Sequence, residues 1–439
     1  MEPQLYTLSN GLRVVFVDTQ AFPTLTTLLL IGAGSRYENA QTNGIAHFFE
    51  HMPFKGSEKH PSTYAISSTI EGLGGNFNAF TAKDHTGYWV KATSDHFPTI
   101  VELLSDILLH PLLKEDEIER EKGVIIEEMN MYEDSPAERV GEIFEQLLYP
   151  DHPLGYDILG TKETVTSFKR KDFLDYMNRF YYPQNVVLAV AGGLNDAESV
   201  GLGKDRSLKK YLSIIEKHFG NWKGNGETQL NTITEKQSAP QLVVRHKKTE
   251  QAHYCLGFRT FSFYDNRKYA LSLLAALLGG GMSSRLFTEV REKRGLCYYI
   301  STGRQLYHDC GNIVTQAGVV NDVNKISESI RITLEEHKKV KKGEVEETEI
   351  KMAKALIKGR LLLSMEKSEN VASFFGNDLV LRQDLELVED VIKRIDDVTQ
   401  QDVIDLANSI FTPSALNFSL VGPFDSEDIF HSAIDSVGL

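Results

Sequence analysis

The sequence predicts an α+β protein made of two homologous domains, each a largely antiparallel sheet with helices packed on one face. Three observations lead there. At 439 residues the chain exceeds one ordinary core, so two domains of roughly 200 residues are expected. From Gly220 to Pro240 the composition turns polar and glycine-rich, which marks 223–240 as a linker between domains at 1–222 and 241–439. Near the end, Phe411-Thr412-Pro413 followed by the apolar run to Gly422 repeats the pattern of Tyr181-Tyr182-Pro183 followed by Val187–Gly192.

The elements follow in order. Residues 5–17 read as two strands around an Asn10-Gly11 turn, a strong hairpin signal. The β-branched and leucine-rich run Thr24–Ile31 suits a buried strand. Gly32-Ala33-Gly34 breaks it, and a short helix through His47–His51 is closed by Pro53 and Gly56. Glycines 72, 74 and 75 mark a loop, and strands follow to Val90 around a Lys83-Asp84 turn. Asp95 is expected to cap a helix whose apolar positions run from Phe97 to Leu108, ended by Pro111. A glutamate-rich helix covers about 115–132, with Ile118, Val124, Ile125, Met129 and Tyr132 as its apolar face. Residues 170–180 form an amphipathic helix, and Val186–Ala191 a fully apolar strand. In the second half, strands near 241–245, 254–258 and 313–319 alternate with helices at 269–278, 323–338 and 345–364.

Composition bounds the function. A formal charge of -14 argues against unspecific nucleic-acid binding and leaves a basic or unfolded substrate open. No apolar run approaches the ~20 residues that span a bilayer, and the N-terminus carries no secretory or transit pattern. Cys255, Cys297 and Cys310 form no spaced framework and read as free thiols in a reducing, cytoplasmic setting.

One stretch carries chemistry. In His47-Phe48-Phe49-Glu50-His51 two histidines lie one helical turn apart on one face, where both imidazoles can meet one metal. Glu50 leans toward that face and is placed to take a proton from a metal-held water. The order H-x-x-E-H is that of the inverted zinc peptidases. A catalytic zinc keeps three protein ligands, so a third must come from elsewhere. The helix near 115–132 offers Glu121 and Glu128, seven residues apart and therefore on one face. Glutamates on a helix ordinarily form a solvated face; the missing oxygen ligand makes this helix the place to look. The second copy has no His or Glu in Leu271–Leu277 and carries Lys358-Gly359-Arg360 where the first has Glu128. A requirement of the core would be kept in both copies, so the first copy's polar residues are additions to the scaffold.

With Phe54-Lys55-Gly56 after it, this motif resembles the signature of the M16 metallopeptidases, the group of insulin-degrading enzyme, pitrilysin and mitochondrial processing peptidase. The resemblance covers nearly the whole chain and its short-chain branch. It implies one Zn²⁺ per chain on His47, His51 and Glu128, with Glu127 the competing third ligand, Glu50 as general base and Glu121 orienting a ligand. It implies that Asn78, Ala79, Phe80 and Thr81 form an edge strand that takes substrate by β-addition. Arg291 and Tyr298 look like the family's carbonyl- and backbone-binding pair, though by residue type alone they are a surface arginine and a strand tyrosine. The family's domains enclose a clamshell chamber of which one chain supplies half. A homodimer is then implied, with Arg291 and Tyr298 acting in trans on peptide substrates. Rival readings are a catalytic chain with a different partner chain and a structural subunit of the same fold. Gly201-Leu-Gly-Lys204 and Gly279-Gly280-Gly281 lack the spacing of a phosphate-binding loop.

Overall fold

The computed structural model describes residues 1–194, 204–226, 228–234, 237–435 and 437–438, with side chains of the helix Lys204–Phe219 described from residue 208. These fall into two compact units, each discontinuous in sequence. The first combines Met1–Glu128, Tyr156–Asn231 and Leu362–Val388. The second combines Met129–Gly155, Thr232–Leu361 and Glu389–Leu439. The sequence reading draws continuous domains and contains no such exchange.

The first unit is built on strands β1 (Gln4–Thr7), β2 (Arg13–Asp18), β3 (Thr24–Ile31), β4 (Asn76–Thr81), β5 (Thr86–Thr93) and β6 (Val186–Gly192), in the spatial order β1-β2-β6-β3-β5-β4. All neighbours are antiparallel except β2 and β6. Every residue of β6 is buried, as expected for an apolar run covered on both faces. The second unit holds β7 (Gln241–His246), β8 (Gln251–Thr260), β9 (Cys297–Leu306), β10 (Gly311–Val320) and β11 (Leu416–Gly422), ordered β7-β11-β8-β10-β9, with β7 and β11 parallel. Leaving out β1, the two orders are the same, which is the repeat that the two tyrosine- and phenylalanine-led strands announce.

Helices cover both faces of each sheet, not one. In the first unit Tyr211 packs edge-on against both Phe16 and Phe97 on one side. On the other, the helix Ser368–Asn377 packs across β3 and β6. Its Ser368 hydroxyl hydrogen-bonds the Thr26 hydroxyl at 2.8 Å, and Gly376 sits so close that a Cβ there would meet Leu30 Cδ1 at 2.5 Å. In the second unit most helices share a core with Tyr254, Leu256, Phe258, Phe418 and Leu420. The opposite face carries Val140, Ile143, Phe144 and Leu148 of the helix Pro136–Leu148, packed on Cys255 and Val421.

Two local expectations are corrected. Asp95 caps nothing: it lies in a 3₁₀ turn, Ser94–His96, and the helix Phe97–Leu109 starts with a proline in its first turn instead. Val124 is exposed, not part of the buried face of Glu115–Glu133, where Glu121 is buried in its place. Gly280 ends the helix Lys268–Gly279 as a cap, while residues 201–203 of the other glycine stretch lie outside the described residues. No described helix is long and apolar enough to cross a membrane.

Candidate active site

The motif helix, Ile45–His51, lies beside β4, with Phe48 and Phe49 fully buried beneath it. Their rings pack on Phe173 and Tyr181 at 4.8 Å each, which leaves the other face, with His47 and His51, toward the helix Glu115–Glu133. The helix Glu115–Glu133 runs alongside and brings Glu128 to the histidines. Glu128 Oε2 is 3.6 Å from His47 Nε2 and 3.9 Å from His51 Nε2. These separations are too long for hydrogen bonds. They approach the roughly 3.3 Å between ligand atoms on a tetrahedral zinc with bonds near 2.0–2.1 Å. Among the described residues this is the one group of three His, Cys, Asp or Glu side chains whose ligand atoms gather within 4.8 Å. Glu127 is exposed and outside it. Two imidazoles and a carboxylate are the donor set of a catalytic zinc, so the residues fit the ion.

The surroundings orient each of these side chains. His51 Nδ1 lies 2.8 Å from Glu121 Oε1, a carboxylate that can only accept, so Nδ1 carries the proton and in the neutral ring Nε2 is the bare nitrogen toward Glu128. The other Glu121 oxygen holds Lys55 Nζ at 2.5 Å. Burial opposes the charge on Glu121, but these two bonds overcome it and keep its pKa below the usual carboxylate value. Burial, with His51 as a second cause, pushes His47 down to about 3, so it stands neutral and ready to ligate. Burial also disfavours a proton on His51, yet the Glu121 bond and the charges of Glu50, Glu121 and Glu128 raise its pKa overall. Glu128 is raised by burial. Glu50 is raised by burial too, and the Thr81 hydroxyl, which donates to Glu50 Oε2 at 2.7 Å, works against that.

β4 is the edge strand of its sheet, with β5 on one side only. Asn78 is exposed on it, and its Oδ1 accepts the Ala79 N–H at 2.9 Å. A small pocket between the motif helix and β4 is lined by Glu50, His51, Lys55 and Glu121 on its polar side and by Phe54, Phe77 and Ala79 on its apolar side. Phe80, the remaining residue of this stretch, packs edge-on against His85 at 5.6 Å. Arg291 and Tyr298 belong to the second unit. Arg291 lies in a short π-helical segment, Phe287–Glu292, its guanidinium 4.6 Å over the Phe287 ring. Tyr298 is the second residue of the edge strand β9 and is 74% exposed. Sequence reading missed Lys55 as the partner of Glu121, although the residue stands in the motif it quotes. It also placed Thr81 on the substrate strand without its bond to Glu50.

Comparison with known proteins decides the family. The profile of insulinase, peptidase family M16, matches residues 13–162, and that of the peptidase M16 inactive domain matches 167–357. The uncharacterized zinc protease YmxG of Bacillus subtilis is 34% identical over 408 residues, 93% of this chain and 95% of that protein. The chain belongs to peptidase family M16. The M16 chain is also 31% identical to the uncharacterized zinc protease ML0855 of Mycobacterium leprae, over 96% of this chain and 92% of the other. In the solved structures it resembles a protease from Helicobacter pylori, with a TM-score of 0.87 at 26% identity over 96% and 99% of the two chains. It is a zinc metalloprotease.

Proposed function

We propose that this M16 chain is an endopeptidase of short or unfolded polypeptides, with His47, His51 and Glu128 as its zinc ligands and Glu50 as general base. The observation that carries the reading is the bond from Thr81, the last residue of β4, to Glu50. A peptide added in extended form to the free edge of β4 runs directly past the base and the ligand cluster.

A zinc ion held there supplies a Lewis acid that acidifies a water molecule and polarises the scissile carbonyl. Glu50 takes the proton of the attacking water and returns it to the leaving amine nitrogen. Glu121, held by Lys55, keeps the His51 ring in the tautomer that ligates through Nε2. Phe54 and Phe77, 5.3 Å apart, exclude water beside the reacting bond. The halves 1–222 and 241–439 divide the labour: the first binds metal and substrate strand, and the second supplies Arg291 and Tyr298. Two chains pair as a homodimer enclosing a chamber, and these two residues serve the partner chain's site. Tyr298 donates to the developing oxyanion, a contact whose loss costs about 10²–10³ in rate. Three buried cysteines without disulfides support work in the reducing cytoplasm.

The test is zinc content and cleavage of a quenched unfolded peptide for wild type, Glu50→Gln and Tyr298→Phe. Both variants should hold zinc and lose turnover. Mixing them should restore part of the activity if sites are completed in trans. Normal turnover by Glu50→Gln would overturn the mechanism, and no recovery on mixing would overturn the homodimeric arrangement.

A further inference from the structure

The motif helix has only seven residues, Ile45–His51. Isolated helices of that length do not hold themselves together in water, so its direction must be imposed from outside. Its first turn also lacks the usual cap. The N-cap is Gly44, which has no side chain to offer. Glycine is required there: its φ is +94°, and a Cβ would lie 2.6 Å from the Leu159 carbonyl oxygen. Orphan N–H groups at a buried helix start need another acceptor.

That acceptor is Glu38, which lies outside the helix and is only 3% exposed. Its Oε1 accepts the Ala46 N–H at 2.8 Å. Its Oε2 accepts the Gly44 N–H at 2.8 Å and the Asn43 amide at 3.0 Å. The Asn43 amide also donates to the Asp157 carbonyl at 2.8 Å, which ties this start to a second loop. A carboxylate gripping the N-cap and the second residue of the helix from two oxygens fixes rotation as well as position. Ala46 is the residue immediately before His47, so a shift of its amide moves the imidazole.

We propose that Glu38 is a positioning residue for the metal site: its carboxylate clamps the start of the motif helix and sets where His47 and His51 stand. The inference rests on the metal reading above. A metal constellation tolerates displacements of about 0.5 Å, and partners one step removed from a ligand are worth about 10–100-fold in metal affinity. Glu38→Gln keeps the shape of the side chain but turns an NH₂ group toward donors, so one of the two backbone bonds is lost.

The experiment measures zinc affinity of the full-length chain by chelator competition, and amide exchange of residues 44–51 by mass spectrometry, each for wild type and Glu38→Gln. Cooperative unfolding of the metal-free variant verifies that it is folded. The expected result is a zinc affinity lowered about tenfold or more, with residues 44–51 losing protection in the metal-free variant and regaining it with zinc. A merely structural role would lower protection across the unit and leave the zinc affinity of folded molecules alone. Affinity within twofold of wild type, or unchanged protection of 44–51, overturns the proposal. If Glu38→Gln does not fold, Glu38→Asp takes its place with the same readouts, since it keeps the charge and withdraws it by one methylene. Rapid exchange of 44–51 in metal-free wild type overturns the proposal on its own. Absence of zinc binding in wild type would instead overturn the metal reading, and protection of 44–51 would then judge the clamp separately.

Discussion

The Thr81 hydroxyl donates to Glu50 at 2.7 Å, joining the end of an edge strand to the carboxylate beside His51. Burial raises the Glu50 pKa and this bond lowers it. In the mechanism proposed above Glu50 works ionised, so activity should fall as pH drops through that pKa. Thr81→Val removes the donor at nearly constant shape. The acid limb of kcat/KM should move up by about one pH unit, and kcat should fall about tenfold, with zinc content unchanged. A limb that stays in place would mean the bond does not act on the base.

Glu128 and Glu127 are neighbours with opposite fates. Glu128 reaches both histidines, whereas Glu127 faces solvent. Glu128→Gln should lose zinc on gel filtration and Glu127→Gln should retain it. Glu121→Gln, which loosens His51 without removing a ligand, should weaken zinc by about 10–100-fold. Metal analysis of the three variants ranks them, and any other order displaces the third ligand.

The two histidines should respond differently to acid. His47 resists protonation down to about 3, chiefly through burial, while the acidic neighbours of His51 overcome its burial and hold its pKa above normal. Zinc must therefore displace one proton, from His51, once pH falls below the raised pKa of that ring. Affinity should drop by about tenfold per pH unit there, the slope of one proton and not two. Chelator competition across that range, with proton release measured alongside, checks the count.

Glu38 makes a prediction about stability. Burial pushes its pKa up to about 7, against the bonds from Asn43, Ala46 and Gly44 and the attraction of Lys83; the buried Tyr176 is a further neighbour. The native state then binds the proton more tightly than the unfolded chain, so this group's contribution falls as pH rises from its unfolded value to about 7. Glu38→Gln removes that dependence. Between acid and alkaline conditions, urea denaturation of the metal-free proteins should shift in the variant's favour by on the order of 3 kcal/mol. A constant difference between the two proteins would show that the carboxylate does not titrate in this way.

Strands β3 and β6 and the helix Arg170–Phe180 were readable because their apolar patterns are local and unbroken. The histidine pair was readable because helical spacing alone places both rings on one side. The burial of Glu121 and the exposure of Val124 were not. Hydropathy puts the glutamate outside and the valine inside, and the fold reverses them because Lys55 and His51 satisfy the buried charge. Thr81 bonds a residue 31 positions away, which no short window along the chain contains; Glu38 stands within eight residues of its partners, but no periodicity or capping spacing marks it as their acceptor. The helix Pro136–Leu148 carries Val140, Ile143, Phe144 and Leu148 at helical spacing, yet no local signal says that it packs on β8 and β11.

The helix Ser368–Asn377 has a further consequence during synthesis. It covers Thr26 and Leu30 on β3, strands made long before it. The ribosome delivers about 5–20 residues per second, so that sheet face stays bare for on the order of ten seconds after β6 emerges. The nascent chain must be kept from aggregating through that interval. For the same reason the zinc-binding half cannot be cut out after residue 222 as an independent enzyme, because its lining is encoded near the far end of the message.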